Sequence, residues 1–106
     1  KLKIIKPQSY IKTVKLTLNS YGIITDSGGL QKEAYFAKKP CITFRDETEW
    51  METIQLGYNK LFSPNKLPFE TEKIMKSMKN IPNDFPPIFG KGNSGLKILE
   101  KLQKLI

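Results

Sequence analysis

A short β-branched run that stops on an acid, a serine and two glycines restricts what this 106-residue chain can fold into. Gly22-Ile23-Ile24-Thr25 has the composition of a buried parallel strand, and it ends in Asp26-Ser27-Gly28-Gly29. A helix is expected next. Leu30, Ala34 and Ala37 fall on one face with Tyr35 and Phe36 alongside, Lys38 and Lys39 suit the last turn, and Pro40 ends the run. Cys41-Ile42-Thr43-Phe44 then reads as a second strand. Two strands joined by a helix of roughly 10 residues form a βαβ unit with a right-handed connection, so the two strands lie parallel in one sheet.

The glycines stand where the first strand hands over to the helix. A helix N-terminus presents unpaired N–H groups and the positive end of the helix dipole, which favour an anion if no Cβ holds it away from the backbone. Gly28 and Gly29 remove that obstacle, Ser27 can add a hydroxyl donor, and Glu33, about one turn into the helix, can accept hydrogen bonds from a sugar diol beside the phosphate. Together these residues describe a nucleotide pocket. Ser-Gly-Gly is also what a tight βα turn with an N-cap serine uses, and the tripeptide alone does not separate the two readings. Arg45 can reach a phosphate or pair with Asp46 or Glu49.

Around this unit the other elements follow from periodicity. Residues 2–5 read as a short strand broken by Pro7, and Ser9 can cap a helix running to about Asn19, with Tyr10, Ile11, Val14 and Leu18 on one face. Residues 49–55 make a short helix that Gly57 ends, residues 60–62 a third strand, inner or edge, and residues 63–68 a turn. A helix over about 70–80 carries acids in its first turn and lysines in its last, with Ile74, Met75 and Met78 facing inward. Residues 83–92 form a loop. From Ser94 or Gly95 to the end an amphipathic helix places Leu96, Leu99, Leu102 and Ile106 in one stripe, widened by Ile98 and Leu105, which needs a surface to cover. The alternation indicates an α/β fold, a Rossmann-like parallel sheet with flanking helices and any nucleotide at the carboxyl ends of its strands.

Length and composition fit one small globular domain able to bury roughly two-thirds of its unfolded surface. The net charge of +8 raises the question of nucleic acid. The lysines, however, recur on the outer faces of nearly every expected helix, at Lys12 and Lys15, at Lys73, Lys76 and Lys79, and at Lys97, Lys101 and Lys104, the pattern of solvated surfaces. No specific nucleic-acid partner is expected. No apolar run approaches the ~18 residues of a membrane span. A single cysteine excludes an internal disulfide, and without histidine neither a metal site nor Cys/His catalysis is expected, so Cys41 reads as core.

At its full length the central stretch is more specific. TDSGGLQKEA, then KKPCITFRDETEW, then Gly57-Tyr58-Asn59 resemble the C-terminal domain signature of the non-hydrolysing UDP-N-acetylglucosamine 2-epimerase family. Pro7-Gln8-Ser9-Tyr10 upstream belongs to the same resemblance, and Phe89-Gly90-Lys91-Gly92-Asn93-Ser94 is similar to the family's Tyr-Gly-Asp-Gly segment. The resemblance implies part of the C-terminal domain of a GT-B fold, with residues 1–106 a single nucleotide-sugar-binding domain. The opening on Lys1, with no initiator methionine, reads as if cut from a longer protein. It further implies that Ser27, Gly28 and Gly29 hold the diphosphate of UDP, that Glu33 holds the ribose hydroxyls and that Gln8 lies by the uracil. Two positions depart from the family pattern: Trp50 stands where an arginine follows TE, and Thr13 where an aromatic often packs beside the uracil. The DETEW form resembles the branch acting on UDP-2,3-diacetamido-2,3-dideoxyglucuronate.

The implied enzyme is a cytoplasmic isomerase, homodimeric at full length and free of cofactors, supplying sugars for cell-surface polysaccharide. Its reaction removes and returns the sugar C2 proton while UDP leaves and re-adds, which requires general acids and bases. In the family these are carboxylates of the N-terminal domain and a histidine early in the C-terminal one. This chain holds no histidine, so no catalytic residue is assigned to it, and it is expected to be inert without the N-terminal domain. Two other readings stand beside this one: the donor-binding domain of a GT-B glycosyltransferase, which shares the glycine turn and the ribose glutamate but not RDETEW, and a non-enzymatic basic module.

Overall fold

A computed structural model describes residues 1–66 and 71–106. Their elements run α1 (Tyr10–Asn19), β1 (Ile23–Thr25), α2 (Gly28–Phe36), β2 (Cys41–Thr43), α3 (Met51–Gln55), β3 (Asn59–Leu61), α4 (Thr71–Lys79) and α5 (Ser94–Leu105). The strands form one parallel sheet in the order β1-β2-β3. Ile23, Ile24 and Thr25 pair with Cys41, Ile42 and Thr43, which pair in turn with Asn59, Lys60 and Leu61. The expected Rossmann-like sheet with flanking helices is therefore present.

β2 is covered on both faces, and its side chains alternate between them. Ile42 joins Ile74 and Met78 of α4 in the apolar core, with Phe44 and Phe62 packed against it. Thr43 points the other way, toward α2 and α3, and its hydroxyl donates to Asn59 Oδ1 at 2.8 Å. Cys41 shares that face, and burial pushes its thiol up to about 11 although Thr43 partly opposes the shift. The group is thus a protonated core thiol at neutral pH, and the stability linked to it is full below 9.0, the ordinary thiol value, and is lost as pH rises from there to about 11. Cys41 is expected to resist iodoacetamide at pH 8 in the native protein and to react readily in denaturant; fast native labelling would show that β2 is not covered.

Several expectations need correction. Residues 2–5 do not join the sheet; Leu2 is 90% exposed, and β1 is left as an edge. A strand is stabilised by ladder bonds and a covered face, and this segment has neither here. Three strands, not four, are therefore found among the described residues. For the same reason Ile24, expected to be buried, is 50% exposed. On α1 the buried residue is Thr17, whereas Tyr10, Ile11 and Leu18 are exposed; Ser9 does cap the helix, accepting from the Lys12 amide at 3.4 Å. Met75 is 44% exposed; the buried residues of α4 are Ile74, Ser77 and Met78, and Ile74 and Met78 are the ones in the core with Ile42. The expected start of that helix at Glu70, and Leu67 and Pro68 of the expected turn, lie outside the described residues.

Helix ends also differ in cause from expectation. α2 stops at Phe36, before Pro40, through a turn in which Lys38 adopts φ 56° and the Lys39 amide donates to the Ala34 carbonyl at 2.9 Å. α3 begins at Met51, two residues later than expected, and Gly57 at φ 84° ends it as expected. The apolar stripe of α5 lies exposed along its length.

Candidate functional site

The turn from β1 into α2 is built by side chains far away in sequence. Ser27 occupies the N-cap with extended backbone, and its hydroxyl makes no capping bond to the helix. Its amide donates to Thr25 Oγ1 at 3.0 Å, and its carbonyl accepts from Gln31 Nε2 at 3.2 Å. Gln31 is buried, and its Oε1 accepts from Thr48 Oγ1 at 2.6 Å and Asn59 Nδ2 at 3.0 Å. Asn59 also donates to Thr53 Oγ1 at 3.4 Å. One polar network thus joins the turn to β2, β3, α3 and the Arg45–Trp50 loop. Among the described residues no buried side-chain N or O lacks a partner.

The two glycines do different things. A Cβ on Gly28 would stand 1.9 Å from Glu49 Oε1 and 3.6 Å from Arg45 Nη1, whereas a Cβ on Gly29 would meet nothing within 4 Å. Neither has the left-handed φ found at Gly57, Gly90 and Gly92. At Gly28 the end of the flexible Glu49 side chain lies where a Cβ would stand, and Gly29 leaves open space above the start of the helix. Arg45 takes the ion-pair option, its Nη1 lying 3.2 Å from Glu49 Oε2 with the side chains 33% and 50% exposed.

Trp50 supplies the remaining support. Its indole N–H donates to the Gly28 carbonyl at 2.8 Å, and its ring meets Phe89 edge to face at 5.6 Å. The Lys32 ammonium stands 4.7 Å from the Trp50 ring and 4.8 Å from Phe89, a cation–π arrangement that helps hold the loop over 83–92 against α2. Tyr35 and Tyr58 anchor the same loop: the Tyr35 hydroxyl donates to the Pro86 carbonyl, and that of Tyr58 to Asp84 Oδ1 at 2.5 Å. Burial and the Asp84 carboxylate raise the Tyr58 phenol, and the phenol's hydrogen bond holds Asp84 below the usual carboxylate range.

Glu33 follows Gly29 by four residues and so lies on the same side of α2, one turn on. It lines a cleft of about 190 Å³ with Tyr10, Val14, Thr17, Leu18, Phe36 and Ala37. Gln8 is not brought to this cleft. Its amide donates to the Lys6 carbonyl at 2.7 Å, and it borders a separate depression with Lys12, Lys15 and Asn19 on another face of α1. Ser27, Gly28, Gly29 and Arg45 are gathered at one helix end, with Glu33 next along it. Among the described residues there is no cluster of acidic and cysteine side chains able to hold a metal, and no helix long and apolar enough to cross a membrane.

Residues 1–103 match the family model described as UDP-N-acetylglucosamine 2-epimerase. The chain belongs to that family. It is 44% identical to a UDP-N-acetylglucosamine 2-epimerase homolog of Methanococcus maripaludis, over 98% of this chain and 29% of that protein. It is 36% identical to the UDP-2,3-diacetamido-2,3-dideoxy-D-glucuronate 2-epimerase of Pseudomonas aeruginosa, over 98% and 29%. The crystal structure of the Methanocaldococcus jannaschii UDP-GlcNAc 2-epimerase in complex with UDP-GlcNAc and UDP superposes with a TM-score of 0.77 at 41% identity, over 96% of this chain and 28% of that one. The chain thus spans less than a third of the length of these relatives. In this chain the buried amides Gln31 and Asn59 support the turn, a role that sequence reasoning missed; a usable signal was Gln31 lying three residues before Ala34, on the buried side of α2.

Proposed function

We propose that residues 1–106 are one nucleotide-sugar-binding domain and supply the UDP-binding part of a 2-epimerase acting on a UDP-linked 2-acetamido sugar. The observation that carries this reading is the start of α2: an N-cap serine whose hydroxyl makes no cap bond, followed by a glycine with open space above it, in a chain of this family. Backbone N–H groups of that turn would hold the diphosphate, with the Ser27 hydroxyl adding a donor and the Gly28 backbone contributing to the turn. Glu33, one turn on, would accept the ribose hydroxyls, and Arg45 would reach a phosphate on leaving Glu49. Gln8 beside the uracil rests on the family resemblance alone. Both a plain N-acetylglucosamine substrate and its diacetamido-glucuronate analogue carry the same UDP, which fits similarity to relatives of both names. The proton transfers at C2 would come from groups outside this chain, on another domain of the longer protein, and the reaction of that whole protein is an isomerisation. We also propose a dimer at full length and a cytoplasmic location.

Calorimetry with UDP and 2′,3′-dideoxy-UDP tests the reading. Glu33→Gln is expected to weaken UDP about tenfold, the value of a hydrogen bond to a charged acceptor, and to leave the dideoxy compound nearly unchanged because it offers no diol. Equal losses on both ligands would remove Glu33 from the ribose site.

A further inference from the structure

Two successive carbonyls in the turn from β1 into α2 each accept a hydrogen bond from a side chain. Gln31 Nε2, on a fully buried side chain, donates to the Ser27 carbonyl at 3.2 Å, and the Trp50 indole donates to the Gly28 carbonyl at 2.8 Å. The Ser27 amide is already used, donating to Thr25 Oγ1 at 3.0 Å. A peptide unit is planar and trans, so its N–H points away from its own C=O, and a bond that fixes the carbonyl also fixes the direction of the amide. The Ser27 and Gly28 carbonyls share their planes with the Gly28 and Gly29 amides. Both amides belong to the first turn of α2, where an N–H has no partner inside the helix. From these bonds we infer that Trp50 is a positioning residue for the diphosphate: its indole holds the Gly28–Gly29 peptide so that the Gly29 N–H is aimed out of the helix start, as Gln31 does for the Gly28 N–H. This rests on the proposed phosphate position at α2.

The local sequence creates the need for such a hold. Two glycines in a row have more backbone freedom to lose than any other pair, and the Ser27 hydroxyl makes no cap bond that would restrain them. An anion meeting loose amides would have to order them on binding, whereas amides already aimed bind it at less cost. A hydrogen bond accepted by a carbonyl also polarises the amide of the same plane and strengthens it as a donor. Trp50 is itself held by contacts to its ring rather than to its N–H. Phe89 meets that ring edge to face at 5.6 Å, and the Lys32 ammonium stands 4.7 Å from it. The donor can therefore be removed while the ring contacts are kept.

Nuclear magnetic resonance titration of the 106-residue chain with UDP and with uridine, for wild type, Trp50→Phe and Gly29→Val, decides it, with thermal midpoints measured alongside. Trp50→Phe keeps an aromatic ring beside Phe89 and Lys32 and loses the N–H. It is expected to weaken UDP about three- to tenfold, the scale of one hydrogen bond, and to leave uridine unchanged because uridine brings no phosphate. The Gly29 amide resonance is expected to shift in the free variant, since its own peptide plane loses the bond. A purely structural role would lower the midpoint without separating UDP from uridine. A folded Trp50→Phe protein that binds UDP as wild type does, or that loses UDP and uridine equally, overturns the positioning role. If Gly29→Val leaves UDP binding intact, the phosphate position itself is wrong and the inference falls with it. A loss in Gly29→Val together with no change in Trp50→Phe overturns the inference alone, and absence of UDP binding in wild type overturns both. Should Trp50→Phe not fold, 3-benzothienylalanine, with sulfur in place of the indole N–H, gives the same test with the fused ring intact, because the chain has one tryptophan to replace.

Discussion

Replacing Gly29 with valine is expected to reduce UDP binding by more than about a hundredfold, through loss of two or more charge-assisted backbone hydrogen bonds, with the fold intact. The fold should survive because a Cβ at Gly29 meets nothing within 4 Å and the residue lies within α2 without a left-handed φ. Valine is in fact a slightly better helix former than glycine. The same open space is where phosphate oxygens must come to reach the N–H groups of the first turn, and a branched side chain fills it. Circular dichroism and the thermal midpoint should therefore match wild type while calorimetry shows no UDP heat. A folded variant that binds UDP normally would move the nucleotide elsewhere and remove Ser27, Gly28, Gly29 and Glu33 from the site together.

The second large effect concerns stability. Asn59→Leu is expected to lower the thermal midpoint by about 10–20 °C, the consequence of roughly 2–3 kcal/mol in a domain of this size. Asn59 is buried, accepts from the Thr43 hydroxyl and donates to Gln31 and Thr53. Leucine matches its size but offers no polar atom, so the Thr43 hydroxyl loses its acceptor in the sheet and Gln31 loses one of its two donors. Buried polar groups left without partners cost far more than the net value of the bonds they made. Asn65→Leu, on an exposed residue of the loop after β3, is the control and should change stability by no more than about 0.5 kcal/mol. A midpoint unchanged in Asn59→Leu would mean that the network does not hold the sheet to α2 and α3.

What was legible in the sequence was whatever depends on neighbours along the chain. The β-branched runs at 23–25 and 41–43, the glycine turn between them and the stop at Gly57 are local signals, and each element formed where those signals lie. The nucleotide reading was local too, since one strand-to-helix turn brings Ser27, Gly28 and Gly29 together and a single helical turn adds Glu33. The strand at 2–5 and the burial of Ile24 failed because both depend on a second surface, and a hydrophobic pattern records only that a surface is wanted. Tertiary structure alone decided how the site is supported. Trp50 reaches the Gly28 carbonyl across 22 residues of chain, and Gln31 and Asn59 are 28 apart. The approach of Glu49 to Gly28 was invisible for the same reason: a carboxylate in an acidic run gives no sign of which distant turn it will lie beside. The sequence by itself determined the sheet, the turn and the family, because these are written in contiguous residues. Only the folded chain settled which distant buried polar groups satisfy one another, because desolvation makes those pairings compulsory and the chain leaves them unmarked.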